Sequence, residues 1–166
     1  MIAFSQIGEL GRLGNQLFQY ALLKSVSLKT GYEIALPDLT ERKWHGQKCL
    51  LNNFKLPSCN FTKMNHIYEF EEIGSRLFDK RVFEVNDQTD FFGFFQHPKY
   101  YTDIKDALRN EFELCDNLHG KVKSYLSQYK KETVSLHIRR GYASDGTNPV
   151  DSVWTNDFSK GSYMHE

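Results

Sequence analysis

The sequence carries no net charge, because 21 Lys plus Arg residues balance 21 Asp plus Glu residues. Dedicated nucleic-acid-binding proteins usually have a basic excess, so this balance argues against a nucleic-acid partner. No run approaches the roughly 18 consecutive apolar residues of a transmembrane segment. The N-terminus also lacks the basic and then apolar regions of a signal peptide. Together these absences predict a cytoplasmic protein.

Cysteine pairs and metal-binding motifs are missing as well. The three cysteines, Cys49, Cys59 and Cys115, are an odd number and none of them lies in a C-x-x-C pattern. A disulfide framework and a structural zinc site are therefore not expected. The absence of Asp-x-Asp removes the ligands of one kind of metal-bridged nucleotide-sugar site. Neither G-x-S-x-G nor H-E-x-x-H occurs, so the sequence predicts no bound metal and no resident cofactor.

The first 36 residues predict a strand, a glycine loop, a helix and a second strand. Residues 2–7 form a short apolar run, as in a buried strand. Asn15 is expected to cap the following helix, whose apolar residues recur at helical spacing, and Gly31 is expected to end it. Residues 33–36, closed by Pro37, form the second predicted strand. This order is that of a βαβ unit.

Further along the chain, predicted strands and helices continue to alternate. A short helix is predicted over residues 69–78 and longer helical patterns follow Pro98 and Asn117; strands are predicted over 81–85, 91–95 and 133–138. This alternation predicts an α/β sandwich with a mostly parallel sheet.

The end of the chain has the pattern of a second domain. Residues 130–132 form a polar hinge, and the sequence stops soon after a new strand and the opening of a helix. We therefore predict an N-terminal domain over residues 1–130 and the start of a further domain, mostly missing, over 131–166.

A glycine-rich loop is the first candidate binding site. Its pattern is Gly8-x-x-Gly11-Arg12-Leu13-Gly14-Asn15-Gln16. Such a loop between a strand and a helix N-terminus lets backbone N–H groups approach an anion, helped by the helix dipole. The spacing is neither G-x-G-x-x-G nor a P-loop. The alternative is a tight turn that merely needs glycine at positive φ.

The segment His137-Ile138-Arg139-Arg140-Gly141 is the second candidate site. Its two arginines follow an otherwise apolar strand, where open α/β sheets bind their ligands. Arginine suits bidentate phosphate recognition and keeps its charge, and the histidine could orient it or bind a ligand oxygen. The alternative is a solvated basic strand end beside a histidine of the core.

Taken together, three segments resemble glycosyltransferase family 11, the α-1,2-fucosyltransferases in their membrane-free bacterial form. They are the eleven residues from Gly11 to Ala21, the segment Gly93-Phe94-Phe95-Gln96 with the following Pro98-Lys99-Tyr100-Tyr101, and the His137 segment. The family motif normally has Asp after the glycine of the third segment, whereas here Tyr142 directly follows Gly141. Either this Asp has been deleted, or Asp145 takes its place.

The resemblance implies a fold and an activity. The fold is the N-terminal part of a B-type glycosyltransferase, in which two Rossmann-like domains face each other across a cleft. The implied reaction moves L-fucose from GDP-fucose to a hydroxyl of a galactose-containing glycan, with inversion and without an obligatory metal. The alternative is a truncated, non-catalytic remnant, or a carbohydrate- or nucleotide-binding module.

The resemblance also implies roles for particular residues. Arg139 would contact the donor diphosphate and, with His137, would be catalytic, while Arg140 would support donor binding. Gly11, Gly14 and Asn15 would line the donor side of the cleft. These roles agree with the chemistry of a metal-independent transfer, in which fixed positive charge must stabilise the departing GDP.

Overall fold

The computed structural model of the chain describes residues 1–63, 65–74, 77–129 and 134. By its internal contacts the chain divides into two units, residues 1–124 and residues 125–166. In the second unit the described residues include Tyr125 and Tyr129, whose hydroxyls are 2.8 Å apart. The predicted strand over 133–138 and the predicted domain over 131–166 lie almost entirely outside the described residues, so both stay predictions.

A parallel five-stranded sheet forms the centre of the first unit. The described strands are β1 (Ile2–Ala3), β2 (Ile34–Leu36), β3 (Lys43–Trp44), β4 (Gln47–Lys48), β5 (Cys59–Phe61), β6 (Tyr68–Glu71) and β7 (Thr89–Phe92). The sheet has the strand order β5-β2-β1-β7-β6, and every neighbouring pair is parallel. A separate antiparallel hairpin is made by β3 and β4. The predicted α/β, Rossmann-like fold is confirmed.

The predicted βαβ unit is present at the N-terminus. Helix α1 (Leu13–Thr30) joins β1 to β2 and packs on both strands. Gly31 ends the helix as predicted, with φ +79° and its N–H 2.8 Å from the carbonyl oxygen of Ser27. The predicted cap at Asn15 is wrong, because the helix already begins at Leu13. Asn15 lies in the first turn, where its side-chain oxygen accepts a hydrogen bond from Gln96.

Two predicted elements between β5 and β7 are wrong. The helix predicted over residues 69–78 is replaced by strand β6, because each residue from Tyr68 to Glu71 pairs with one of β7. The strand predicted over 81–85 is a 3₁₀ turn, Lys80–Phe83, whose first turn is capped by the Asp79 carboxylate. Parallel pairing and a side-chain cap thus override the local apolar spacing.

Helical turns complete the first unit after β7. Two 3₁₀ turns, Pro98–Tyr100 and Thr102–Ile104, precede α2 (Lys105–Glu111). The last helix of the described residues, α3 (Asp116–Leu126), begins in the first unit and agrees with the helical pattern predicted from residue 117. Within the ranges that the structure describes, no helix has both the length and the apolar character needed to cross a membrane.

A buried polar cluster ties α1 to α2. The Glu111 carboxylate, 3% exposed, lies 2.7 Å from Nζ of Lys24 and accepts a 2.7 Å hydrogen bond from the Tyr20 hydroxyl. The hydroxyl and N–H of Ser58 also donate to it. Burial raises the pKa of Glu111, but the hydrogen bonds from Lys24, Ser58 and Tyr20 outweigh it and lower the pKa overall. The cluster therefore holds an ionised carboxylate in the core.

Candidate functional site

The candidate site lies where β1 and β7 end. These two strands are neighbours in the sheet, with Ala3 opposite Asp90, although they come from opposite ends of the first 92 residues. Because they are parallel, the loops that leave them, residues 4–12 and 93–97, start at the same edge. In open α/β sheets ligands bind outside the carboxyl ends of the strands. This edge of the sheet is therefore the candidate binding site.

The loop that follows β1 is fixed to the body of the unit by side chains. The Ser5 N–H donates to Oδ1 of Asp90 on β7 at 2.7 Å. The guanidinium of Arg42 donates to the carbonyl oxygens of Ser5 and Ile7, and to Oε2 of Glu9 at 3.2 Å. These bonds satisfy the polar groups of the loop and set its path before the helix begins.

Gly11 is required by its backbone conformation and by its closeness to Asn15. Its φ is +84°, and a Cβ built there would lie 2.4 Å from Nδ2 of Asn15. Gly11 thus has the positive φ that a tight turn requires, and this conformation is compatible with either interpretation of the loop. The turn also presses the backbone against the Asn15 side chain, so Gly11 sets where that amide can lie.

Two buried glutamines of α1 hold the loops from beneath. Nε2 of Gln16 donates to the carbonyl oxygen of Gly11 at 3.1 Å. Nε2 of Gln19 donates both to the Leu10 carbonyl at 3.1 Å and to the Gly93 carbonyl at 3.0 Å. Gln19 therefore joins the loop after β1 to the loop after β7. Both glutamines lie in segments that stand out in the sequence, but the sequence alone assigns a role to neither. A polar side chain on the buried face of an apolar helix is the signal that indicates one.

The loop after β7 is shaped by Glu72, the residue that follows β6. The Glu72 carboxylate accepts hydrogen bonds from the N–H groups of Phe94 at 2.7 Å and Phe95 at 2.8 Å. A Cβ at Gly93, whose φ is +142°, would lie 2.4 Å from the Cβ of Glu72. The backbone at Gly93 therefore passes closer to Glu72 than a residue with a side chain would allow. Burial raises the pKa of Glu72, while the two N–H groups partly oppose that rise.

A hydrogen bond between side chains connects the two loops at the surface. Nε2 of Gln96 donates to Oδ1 of Asn15 at 2.8 Å. Gln96 is exposed and Asn15 is half-buried. Two of the segments that carry the family resemblance, distant in sequence, therefore meet in one place. Phe95, which precedes Gln96, is fully buried and makes edge contacts with Phe4 and Phe91, so the base of this loop is rigidly packed.

The N-terminus of α1 opens beside this hydrogen bond. The N-cap residue Arg12 is in an extended conformation and makes no side-chain capping bond, and the first turn holds no acidic residue. Gly14, in that turn, is exposed, and a Cβ built on it would meet nothing within 4 Å. The first N–H groups of a helix have no partner inside it and favour a negative charge. The geometry around Asn15 and Gly14 can therefore accept an anionic group.

The remaining predicted site residues, His137, Arg139 and Arg140, lie outside the described residues. The structure brings Gly11, Gly14 and Asn15 together with Gln96, and says nothing of the arginine pair. In the part of the chain that is described, no group of three or more His, Cys, Asp or Glu side chains could hold a metal ion.

Comparison with known proteins identifies the family of this chain. The family described as Glycosyl transferase family 11 matches residues 3–165. An Alpha-1,2-colitosyltransferase from Escherichia coli is 28% identical over 154 residues, which cover 79% of this chain and 52% of that protein. The chain thus spans about half the length of this curated relative. No solved structure matches the chain significantly. Because the family match runs through nearly all of the sequence, including the loops after β1 and β7, the chain belongs to glycosyl transferase family 11.

Proposed function

We propose that this protein transfers L-fucose from GDP-fucose to a hydroxyl of a galactose-containing glycan, forming an α-1,2 linkage. The sugar carbon is inverted, because the acceptor hydroxyl attacks it on the face opposite the departing GDP. No metal ion is needed to neutralise the diphosphate. The observation that carries the proposal is the meeting of the family's glycine loop and its Gly93-Phe94-Phe95-Gln96 segment through the Asn15–Gln96 hydrogen bond.

The open end of α1 supports a role in donor binding. An uncapped helix N-terminus offers N–H groups and a positive dipole end to a phosphate. Gly14 leaves room for close approach to the backbone, and Gly11 keeps Asn15 at the rim of this opening. In this proposal Gly11, Gly14 and Asn15 bind the donor sugar nucleotide, as the family resemblance implies.

The arginine pair supplies the positive charge in this proposal. When the fucosyl bond breaks, negative charge develops on the diphosphate, and a preorganised guanidinium stabilises it more strongly than mobile water does. Arg139 takes this role as a catalytic residue, together with His137, and Arg140 binds the donor beside it. Arginine suits this task because its charge does not depend on pH and its donors match phosphate oxygens in pairs.

The experiment that tests donor recognition is a calorimetric titration of the full chain with GDP-fucose, GDP and a UDP-sugar. We expect GDP-fucose and GDP to bind and the UDP-sugar not to bind. Arg139→Ala should abolish this binding without changing the midpoint of thermal unfolding. Arg109→Ala is the matched control, because Arg109 is 78% exposed and pairs only with Asp106 among the described residues. Binding that survives in Arg139→Ala, or an equal loss in both variants, would contradict the role of Arg139.

A colitosyl donor is the second candidate substrate. The observation that favours it is the name of the relative, Alpha-1,2-colitosyltransferase, which shares the proposed linkage and differs in the transferred sugar. Product analysis with a galactoside acceptor and each donor in turn separates the two candidates. Turnover with GDP-fucose supports the first proposal, whereas turnover with the colitosyl donor alone replaces it. Binding of a donor without turnover in either assay would favour the alternative of a non-catalytic binding module.

A further inference from the structure

The carboxylate of Glu72 reaches the candidate site through a chain of contacts. Both of its oxygens accept backbone N–H groups, those of Phe94 and Phe95. Because each oxygen binds a backbone N–H of the loop, the carboxylate fixes where this stretch of backbone lies. The bonds that it makes are of the charge-assisted kind, which are stronger than those between neutral groups.

These two bonds determine where Gln96 points. Phe95 lies at φ +50°, a conformation that side-chain-bearing residues adopt at a cost, so something must hold it there. The Glu72 carboxylate holds its N–H, and the Tyr101 hydroxyl donates to its carbonyl oxygen at 3.3 Å. The next residue, Gln96, leaves this turn toward Asn15 and binds its side-chain oxygen.

The position of Gly93 shows that the contact is built closely. Glu72 packs so near to the backbone that a Cβ at Gly93 would lie 2.8 Å from Oε2 of the carboxylate. The Gly93 carbonyl is bound in turn by Gln19, whose side chain is fully buried. The start of the loop is thus fixed on one side by α1 and on the other by Glu72.

We infer that Glu72 is a positioning residue for Asn15, acting through loop 93–96 and the side chain of Gln96. The inference rests on the proposed function for its catalytic meaning, since Asn15 is there a donor-binding residue. The structural part stands alone: removing the negative charge of Glu72 should move the Asn15 amide, and removing the Gln96 side chain should break that link.

The first test is an NMR titration of the full chain between about pH 3.5 and 7, observing the backbone amides of Phe94 and Phe95 and the side-chain amide of Asn15. All three should follow one titration as Glu72 loses its proton. In Gln96→Ala the backbone amides should still titrate, whereas the Asn15 amide should not. An Asn15 amide that is silent in the wild-type chain, or that still titrates in Gln96→Ala, would overturn the inference.

The titration of Glu72 must be distinguished from that of other ionisable groups near it. Among the described residues, the hydroxyls of Tyr100 and Tyr101 interact electrostatically with Glu72. Burial raises the pKa of both hydroxyls above their ordinary value, so neither titrates between about pH 3.5 and 7. His97 is the last residue of the loop after β7. It is replaced by Asn in a parallel sample, because the Asn side chain can also accept the N–H of Lys99. The same titration should persist in that sample.

The second test measures binding and separates this inference from the proposed function. Glu72→Gln should weaken GDP binding about tenfold. The NH₂ group of the new glutamine would face one of the backbone N–H donors of Phe94 and Phe95, which would then lack an acceptor. Gln96→Ala should have a similar effect, and the double variant no larger one, because both changes act through one path. Glu71→Gln, an exposed carboxylate at the end of β6, is the control and should bind GDP normally. Additive losses of GDP affinity in the double variant would contradict a shared path through Gln96. A wild-type chain that binds no GDP would contradict the proposed function, and the NMR titration alone would then decide this inference.

Discussion

Replacing Gly11 by alanine tests the turn on which the candidate site is built. Gly11 has φ +84°, and an added Cβ would lie 2.4 Å from Nδ2 and 2.6 Å from Cβ of Asn15. Holding an L-residue in this left-handed conformation costs about 1–2 kcal/mol. Asn15 must also move and lose its hydrogen bond to Gln96, which adds about 1 kcal/mol. We expect Gly11→Ala to lower the free energy of unfolding by about 2–3 kcal/mol.

Gly14→Ala is the matched control, because this glycine lies in the first turn of α1 with open space around it. Alanine is favoured over glycine in a helix, so the free energy of unfolding should rise by up to about 1 kcal/mol. In a chain of this size each kcal/mol moves the thermal midpoint by about 2–4 °C. The two variants should therefore differ by several degrees, with wild type between them.

GDP titration of the same two variants separates stability from binding. Gly11→Ala should bind GDP weakly, since Asn15 is displaced. Gly14→Ala should bind it at least about tenfold more weakly than wild type despite its greater stability, because a methyl group blocks close approach to the backbone. A Gly11→Ala variant that melts with wild type would refute the reasoning about strain. A Gly14→Ala variant that binds GDP normally would refute the role of Gly14 in donor binding.

Three further predictions concern stability. Lys24→Met leaves the buried Glu111 carboxylate without its cation, so urea denaturation should show a loss of about 3 kcal/mol or more. The pKa of Glu111 is lowered in the folded chain, so the ionised carboxylate stabilises the fold fully above the ordinary carboxyl pKa, and this stabilisation should be lost as the pH falls below about 4.5. Urea unfolding midpoints measured from pH 7 to pH 3 should therefore decrease at the acidic end. In Glu111→Gln this decrease should be smaller. Gly31→Ala should lower the free energy of unfolding by about 1 kcal/mol, measured by thermal unfolding, because φ is +79° at this position while the space around it is open. An unchanged free energy of unfolding would mean that the helix does not end at Gly31 in this conformation.

The parts of the fold that could be predicted are those fixed by local pattern. The apolar run at the N-terminus marks β1, the helical spacing after Gly14 marks α1, and the glycine at position 31 marks the end of that helix. The sheet class followed from the alternation of elements. By contrast, β6 could not be predicted, because its residues become a strand only by pairing with β7, about twenty residues later in the chain.

Part of the candidate site stands out in the sequence, whereas the connections between its segments do not. The glycine loop and the segment around Gly93 stood out in the sequence. The bonds that join them, from Gln96 to Asn15 and from Gln19 to Gly93, link residues more than 70 positions apart and leave no local pattern. Glu72 was equally invisible, since nothing in the sequence shows that a carboxylate after an edge strand will bind the N–H groups of a neighbouring loop.

The brevity of β1 has a consequence for the order in which the molecule assembles. β1 is two residues long and lies in the middle of the sheet, with β2 on one side and β7 on the other. During synthesis its first neighbour is complete once residue 36 has been made, but the second only after residue 92. Such distant pairing is slow because a long loop must close before any contact rewards it. The edge that carries the candidate site therefore cannot form before residue 92 has been made, and the loops after β1 and β7 meet only once these two strands have paired.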